Sequence, residues 1–248
     1  MPSLRPARRL LLRSQVNRIV VLASLLVILP SIVVAEHVRR GAGREVARRG
    51  VALVARFCGI RFEVRGQRGD TTVGAAIFVP NHSSPLDIPA MLVAVPEVRF
   101  LAAAELFRIP LLASAMRALG TVPVDRHHPE HGRRQLEEVG RTRSAGSSYD
   151  IAIFAEGGIA PAGERLPFKS GAFSLAIRTG NSVVPVAIHG SDQVLPPHHR
   201  LAARPGVVTV ELLEAVSTVG LTIDDRQDLR DQVHSLVTAA MATSPGWR

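Results

Sequence analysis

The residues best suited to chemistry in this sequence lie in one short stretch, 81–87, with the sequence NHSSPLD. Asp87 follows His82 by five positions, and a turn through Pro85 would bring its carboxylate back against the imidazole ring. A carboxylate bonded to one ring nitrogen fixes the histidine tautomer and raises the basicity of the other nitrogen. This arrangement suits a general base. The same spacing also arises by accident, because Pro and Ser are ordinary turn residues.

The elements on either side of this stretch would place His82 at the end of a strand. Residues 74–79 are apolar and predict a buried strand, and residues 86–95 predict a helix. Ligands and reacting groups commonly collect at the carboxyl ends of strands in α/β sheets. The local pattern therefore favours a functional position for His82.

Strands alternate with helical patterns from residue 60 to the C-terminus. The pattern predicts an α/β fold with a central mixed β-sheet flanked by helices on both faces. Besides 74–79, the predicted strands are 61–65, 98–103, 120–126, 151–154, 183–188 and 207–213. Besides 86–95, the predicted helices are 105–119, 129–145, 172–179 and 224–241.

Residues 1–59 are predicted to form a basic, membrane-associated helical segment ahead of the α/β domain, 60–248. Residues 19–35 carry no charge, and their number is near the lower limit of about 17–25 for a membrane-spanning helix. Arginines flank this run on both sides, whereas a spanning helix shows an asymmetry. That favours a segment that enters one leaflet and returns, followed by an interfacial helix at 43–59. A cleaved signal peptide and an ordinary core-packing helix at 43–59 remain open.

The amino-acid composition restricts the classes of partner that the protein is expected to bind. The formal net charge of +9 implies an anionic partner, such as nucleic acid, an acidic membrane surface or a phosphorylated substrate. Aromatic residues make up 4 % of the chain, too few for base-stacking platforms, so we expect no nucleic-acid partner. Cys58 is the only cysteine, which excludes an internal disulfide and a cysteine-based zinc site. The paired histidines at 127–128 and 198–199 stand in polar loops without a carboxylate cluster, so we expect no metal site.

Four spaced motifs resemble those of the glycerolipid acyltransferases, the 1-acylglycerol-3-phosphate acyltransferase family. They are NHSSPLD at 81–87, GTVPVDR at 120–126, FAEGGI at 154–159 followed by FKSG at 168–171, and VPVAI at 184–188. The third departs from the family pattern FPEGTR: Phe, Glu and Gly match, whereas Ala155, Gly158 and Ile159 stand where the family has Pro, Thr and Arg.

The resemblance implies roles for particular residues. His82 would remove the proton of an acceptor hydroxyl, and Asp87 would orient the imidazole. The hydroxyl oxygen would then attack a thioester of acyl-CoA or acyl carrier protein, with backbone donors near 81–87 stabilising the oxyanion. Neither a metal nor an organic cofactor is implied. The substrate-binding residues would be Arg126, Glu156, Gly157, Lys169 and Gly171, with Ser170 capping the helix that follows.

The implied function is acyl transfer to a lysophospholipid, foremost 1-acylglycerol-3-phosphate to phosphatidic acid, at the cytoplasmic face of the cell membrane. Ile159 leaves other acceptors open: another lysophospholipid, a lipoamino acid or a glycolipid. A serine-type lipid hydrolase using Ser83 or Ser84 is a further alternative, although the sequence has no Gly-x-Ser-x-Gly elbow. The last alternative is a non-catalytic protein of the membrane surface.

Overall fold

The structure is a computed structural model that describes residues 5–66, 75–125, 134–135, 149–161, 164–197 and 202–243, with the backbone alone described for 5–12. The helices are α1 (Arg5–Val38), α2 (Ala42–Cys58), α3 (Asp87–Ala94), α4 (Pro110–Ala118), α5 (Gly171–Thr179), α6 (Ser191–Val194) and α7 (Arg226–Thr243). The strands are β1 (Ile60–Arg65), β2 (Ile77–Pro80), β3 (Arg99–Ala103), β4 (Val122–Val124), β5 (Ile151–Ala152), β6 (Val183–His189) and β7 (Gly206–Leu212). Two 3₁₀ turns, Ala104–Arg108 and Ile223–Asp225, precede α4 and α7.

The strands form one seven-stranded sheet in the order β1-β7-β6-β2-β5-β3-β4. The five strands from β6 to β4 run parallel to one another, whereas β7 pairs antiparallel with β6 and parallel with β1. β2 is central, and its residues are buried because the sheet is covered on both faces. The predicted mixed sheet is confirmed.

Helices cover both faces of the sheet. On one face α2 and α3 contribute Cys58, Ala90 and Met91 to a core that includes Phe78 of β2. On the other face α5 and α7 pack against Ile77 and its neighbours through residues such as Phe173 and Val233. Successive residues of β2 therefore point to opposite cores, and the strand end that carries His82 is held from both sides.

Two predicted elements differ in detail from the structure. The predicted helix at 105–119 is a 3₁₀ turn followed by α4, which begins at Pro110. Proline lacks a backbone N–H and suits the first position of a helix, so it starts α4 rather than interrupting a longer one. The predicted helix at 129–145 lies outside the described residues except for 134–135.

α1 and α2 form an antiparallel pair that packs on the α/β domain. The Glu36 carboxylate accepts the N–H groups of Gly41 and Gly43 at 2.9–3.1 Å and so caps α2. Asn17 is buried and donates to the carbonyls of Cys58 and Ala203, at 3.2 and 2.9 Å. These bonds fix the N-terminal part of α1 against the domain, since a buried amide without partners would be costly.

The segment Arg13–Val38 of α1 is 26 residues long with a hydropathy of 2.6 and is, among the described helices, the one apolar and long enough to cross a membrane. Only 6 % of its apolar window is buried, unlike a core helix of a soluble protein. α2 adds two exposed apolar side chains, Leu53 and Phe57. The division of the chain at residues 59 and 60 stays a prediction.

Candidate active site

The site is built at the carboxyl end of β2, where the side chain of Asn81 continues the sheet. Its Oδ1 accepts the Ile188 N–H at 2.7 Å, and its Nδ2 donates to the Ile188 carbonyl at 3.1 Å. The amide thus takes the place of a peptide group in the β2–β6 ladder. This lets the main chain leave the sheet at Asn81 without losing a pair of hydrogen bonds, and His82 comes next.

His82 and Asp87 meet as the spacing predicted. The turn between them places His82 Nδ1 2.9 Å from Asp87 Oδ2. An ionised carboxylate only accepts hydrogen bonds, so Nδ1 carries the proton and Nε2 keeps its lone pair. The Asp87 side chain is fully buried, whereas the His82 side chain is 12 % exposed. The imidazole therefore reaches solvent while the carboxylate behind it stays dry.

The same carboxylate oxygen also holds the loop. Asp87 Oδ2 accepts the N–H groups of Ser83 and Ser84, each at 2.8 Å. The Ser84 hydroxyl is buried and donates to the Leu195 carbonyl at 2.7 Å. The prediction that backbone donors of the 81–87 stretch meet an oxyanion is therefore not supported for Ser83 and Ser84, because Asp87 already takes their N–H groups.

Glu156 supports His82 from the third motif. Its Oε1 accepts the His82 backbone N–H at 3.0 Å, and Ala160 N–H donates to the His82 carbonyl at 2.9 Å. Glu156 is 6 % exposed, and its Oε2 has no hydrogen-bond partner among the described residues. Burial raises the pKa of Glu156 above its ordinary 4.5, while the His82 N–H works in the opposite direction. Residues of the 156–160 turn therefore hydrogen-bond both the N–H and the carbonyl group of His82.

The His82 ring also has an aromatic neighbour. Phe154, which follows β5, stacks on the imidazole with ring centroids 4.0 Å apart and planes 25° apart. Because Phe154 is itself buried, it restricts the rotation of the imidazole toward the core. With Asp87 on one nitrogen and Phe154 on one face, the free Nε2 has a fixed direction.

Lys169 and Gly157 are brought together by the FKSG segment. Lys169 N–H donates to the Ala155 carbonyl at 2.8 Å, so the segment runs beside the third motif. Gly157 has φ +79°, and a Cβ there would lie 2.6 Å from Lys169 Nζ. Glycine is needed at 157 because both the backbone angle and the lysine disfavour a side chain.

Gly171 begins α5 directly after this segment, as predicted, but Ser170 does not cap it. The backbone angles of Ser170, φ −73° and ψ −8°, are already helical, and its side chain makes no capping bond. A capping serine has extended backbone, which directs its oxygen at the free N–H groups. Arg126, the remaining predicted ligand of a phosphate, lies outside the described residues, as do the paired histidines at 127–128 and those at 198–199.

An open cleft of about 400 Å³, a volume that includes space open to solvent, lies in front of these groups. Its floor contains Asn81, His82 and Glu156. Part of its wall comes from the C-terminal helix α7, through residues that include His234 and Met241. No sequence pattern indicated that α7 lines the cleft, since residues 224–241 have the pattern of an ordinary amphipathic helix.

Chemically, the arrangement is an imidazole bonded through Nδ1 to a carboxylate, in the lining of a cleft that is open to solvent. A hydroxyl placed at Nε2 would lose its proton to it, and Asp87 would stabilise the imidazolium that results. Asn81, Phe154 and the clamp by Glu156 are the supporting residues that spacing alone did not identify. Within the described part of the chain, no group of three or more His, Cys, Asp or Glu side chains is arranged to hold a metal.

Comparison with known proteins places the chain in a family. The mouse 1-acyl-sn-glycerol-3-phosphate acyltransferase alpha is 32 % identical over 182 residues, which cover 73 % of this chain and 64 % of the mouse protein. The human 1-acyl-sn-glycerol-3-phosphate acyltransferase beta is 31 % identical over 179 residues, with 72 % and 64 % covered. This chain thus spans under two thirds of the length of these relatives.

A solved structure shares the fold. The crystal structure of the 1-acyl-sn-glycerophosphate (LPA) acyltransferase PlsC from Thermotoga maritima aligns with a TM-score of 0.77, covering 96 % of this chain and 98 % of that one at 23 % identity. A family model described as Acyltransferase matches residues 61–189, which include His82, Asp87 and the third motif. Since that match covers just over half of the sequence, the chain belongs to the acyltransferase family.

Proposed function

We propose that this chain transfers a fatty acyl group from acyl-CoA or an acyl carrier protein to a hydroxyl of a lysophospholipid. The proposed acceptor is 1-acylglycerol-3-phosphate, whose acylation gives phosphatidic acid in phospholipid biosynthesis. The observation that carries the proposal is the 2.9 Å contact between His82 Nδ1 and Asp87 Oδ2 at the floor of an open cleft. The names of the mouse and human relatives support this acceptor.

The reaction needs one proton to move twice. His82 Nε2 takes the proton of the acceptor hydroxyl as its oxygen bonds to the thioester carbonyl carbon. The tetrahedral intermediate then loses the thiolate as the carbon–sulfur bond breaks, and the imidazolium returns the proton to sulfur. We assign the oxyanion to backbone N–H donors beside the catalytic loop other than those of Ser83 and Ser84, which Asp87 already accepts.

Acceptor binding is assigned to the residues predicted from the motifs. Lys169 and the N-terminus of α5 at Gly171 lie beside the third motif, and Arg126 completes the predicted set. Glu156 contributes indirectly, because its carboxylate holds the His82 N–H. Gly157 contributes by leaving room for the Lys169 ammonium group.

The direct test is turnover of labelled acyl-CoA against a panel of lysolipids by the purified full chain. His82→Ala should lower the rate about 10²- to 10⁴-fold, the usual value of general base catalysis. His37→Ala is the matched control, because His37 is exposed at the end of α1. If folded His82→Ala protein turned over at the control's rate, the proposal would be wrong.

A second acceptor class follows from one observation. Ile159 replaces the family's arginine and cannot donate to a phosphate, so the acceptor could lack a terminal phosphomonoester. A lysophospholipid with a larger headgroup, a lipoamino acid or a glycolipid would then be used best. Ile159→Arg combined with Gly158→Thr decides between them. No gain in an enzyme that already prefers lysophosphatidic acid would exclude the second class.

The serine hydrolase alternative loses support from the loop itself. Ser84 is buried and its hydroxyl is engaged with the Leu195 carbonyl and the Leu86 N–H. The Ser83 hydroxyl lies 3.2 Å from that of Ser191, and its own N–H holds Asp87. A fluorophosphonate probe should therefore leave the protein unlabelled.

We further propose that α1 and α2 attach the protein to the cytoplasmic face of the cell membrane without crossing it. The exposed apolar side chains of α1 and α2 support attachment, and the anchoring of Asn17 to the α/β domain supports a return to the same side. An acidic lipid surface would suit the net charge. Cleavage of the N-terminal arginine cluster by protease added outside the cell would refute this topology.

Deleting 1–59 is a poor test of attachment, because Arg44 of α2 donates to the carbonyls of Val98 and Leu119. The deletion would leave both carbonyls without this donor and would destabilise the α/β domain. Replacing the exposed Leu53 and Phe57 with glutamate leaves those bonds intact. The double variant should move from the membrane to the soluble fraction, whereas Leu236→Glu, on the exposed side of α7, should not.

A further inference from the structure

The cleft in front of His82 contains one permanent positive charge that the motifs do not account for. Among the described residues that line it, Arg165 is the only arginine or lysine. The predicted phosphate ligand Lys169 is not among them, and its ammonium group lies against Gly157 instead. A phosphate entering the cleft would therefore meet Arg165 before Lys169, which would add to the binding from outside the cleft lining.

We propose that Arg165 binds the phosphate of the acceptor in place of the arginine that Ile159 replaces, and so determines acceptor specificity. The inference rests on the proposed function, because it concerns the acceptor of that reaction. A guanidinium group presents a planar fork that matches two phosphate oxygens, which isoleucine cannot do.

Arg165 and His82 line the same cleft. Earlier in the chain than Arg165, the Ala160 N–H donates to the His82 carbonyl at 2.9 Å. Later in the chain, the Lys169 N–H donates to the Ala155 carbonyl at 2.8 Å. Residues on both sides of Arg165 in the sequence are thus hydrogen-bonded to the segments that build the site.

The positive charge of Arg165 also acts on the end of β6. Burial lowers the pKa of His189, and the nearby charges of Arg65 and Arg165 lower it further, against the opposing effect of Glu211. His189 ends β6 and follows Ile188, the residue that pairs with Asn81. The charge of Arg165 therefore acts near the strand ends that carry His82.

The geometry of the acceptor fits this placement. In 1-acylglycerol-3-phosphate only two carbons separate the free hydroxyl from the phosphate ester oxygen. When that hydroxyl lies at His82, the phosphate must lie within a side chain's reach, in the same cleft. Glu164 also lines the cleft and would repel a phosphate, and the positive charge of the adjacent Arg165 would offset that repulsion.

The test compares two acceptors that differ only in the phosphate: 1-acylglycerol-3-phosphate and the corresponding monoacylglycerol. Arg165→Gln should raise KM for the phosphorylated acceptor roughly 10- to 100-fold, the value of a charge-assisted hydrogen bond, with little change in kcat. KM for monoacylglycerol should not change. Arg165→Lys keeps the charge but not the fork and should restore part of the affinity.

Arg178→Gln is the matched control, because it removes the same charge from the far end of α5, on an exposed residue outside the cleft lining. The proposal is overturned if Arg165→Gln leaves KM for the phosphorylated acceptor unchanged, or raises it equally for both acceptors. This outcome differs from a failure of the proposed function. If the proposed function were wrong, the wild-type protein would acylate none of the lysolipids.

Discussion

Replacing Asp87 by asparagine separates the charge of the carboxylate from its role in holding the loop. Asp87 Oδ2 accepts from three donors: His82 Nδ1 at 2.9 Å, and the N–H groups of Ser83 and Ser84 at 2.8 Å. The asparagine carbonyl oxygen must occupy that place, because an amide NH₂ there would face all three donors. The tautomer of His82 is then preserved, and only the negative charge is lost.

The size of the effect follows from the charge pair formed in the transition state. An imidazolium and a carboxylate about 4 Å apart attract by about 4 kcal/mol at an effective dielectric constant of about 20. At about 1.4 kcal/mol per decade this is at most about three decades of rate. We expect Asp87→Asn to lower kcat about 10²- to 10³-fold, since solvent reaching the exposed edge of His82 compensates part of the charge.

The amide nitrogen of the asparagine takes the place of Oδ1, which has no hydrogen-bond partner among the described residues. An unpaired buried donor costs about 1–3 kcal/mol, and each kcal/mol lowers Tm by about 2–4 °C in a domain of this size. Asp87→Ala would remove the acceptor of three donors at once, which is a large part of a typical stability of about 5–15 kcal/mol. Asparagine is therefore the informative substitution.

The assay is acyl transfer from labelled acyl-CoA, measured well below the Tm of each variant. Asp228→Asn serves as the control because Asp228 is an exposed carboxylate in the first turn of α7. If Asp87→Asn kept its rate within about threefold of wild type, the charge of Asp87 would have no part in the reaction. His82 would then have to act without an electrostatic partner.

Three further outcomes are expected. Because burial raises the pKa of Glu156, the free energy of unfolding of the wild type should fall as pH rises above 4.5. Glu156→Gln keeps an acceptor for the His82 N–H and should not show this fall in denaturant titrations. Glu156→Ala removes the acceptor and should lower the free energy of unfolding by about 1–3 kcal/mol at any pH. On acidification below pH 6.5, the Tm of His189→Gln should fall less than that of the wild type. The reason is that the pKa of His189 is lowered in the folded protein, so the unfolded state binds the proton better. Gly157→Ala should cost about 1–2 kcal/mol from its positive φ and displace Lys169, seen as a changed KM for the acceptor.

Local patterns predicted much of the fold because they are set by neighbours in the chain. The buried strand before His82, the helix after it and the alternation of elements are confirmed, as is the mixed sheet. The spatial neighbours were not predictable in the same way. β1 pairs with β7, although more than 140 residues separate Ile60 from its partner Gly206, and such pairings leave no local signal.

The same distinction holds within the site. The contact between His82 and Asp87 was predictable because five residues and a turn determine it. The bond from the His82 N–H to Glu156 spans 74 positions, and that between Asn81 and Ile188 spans 107. The predicted cap by Ser170 was wrong because composition does not reveal that the residue already has helical backbone angles.

In the third motif, some residues are required by the fold and others are free to differ. Glu156 and Gly157 match the family pattern, and both are required here by the protein itself: one holds the His82 N–H, and the other has a positive φ beside Lys169. Ala155, Gly158 and Ile159 depart from the pattern. A Cβ added at Gly158 would meet no described heavy atom within 4 Å, and the Ile159 side chain is half-buried.

Packing thus places little constraint on the two changed positions Gly158 and Ile159, whereas the third, Ala155, is buried. A chain that had lost its activity would have no reason to keep the hydrogen bond between Glu156 and the His82 N–H. The altered pair is better explained by a change in how the acceptor is held than by loss of catalysis. If so, Gly158→Thr should leave Tm unchanged and alter only the acceptor KM, and a fall in Tm would show that packing constrains this position after all.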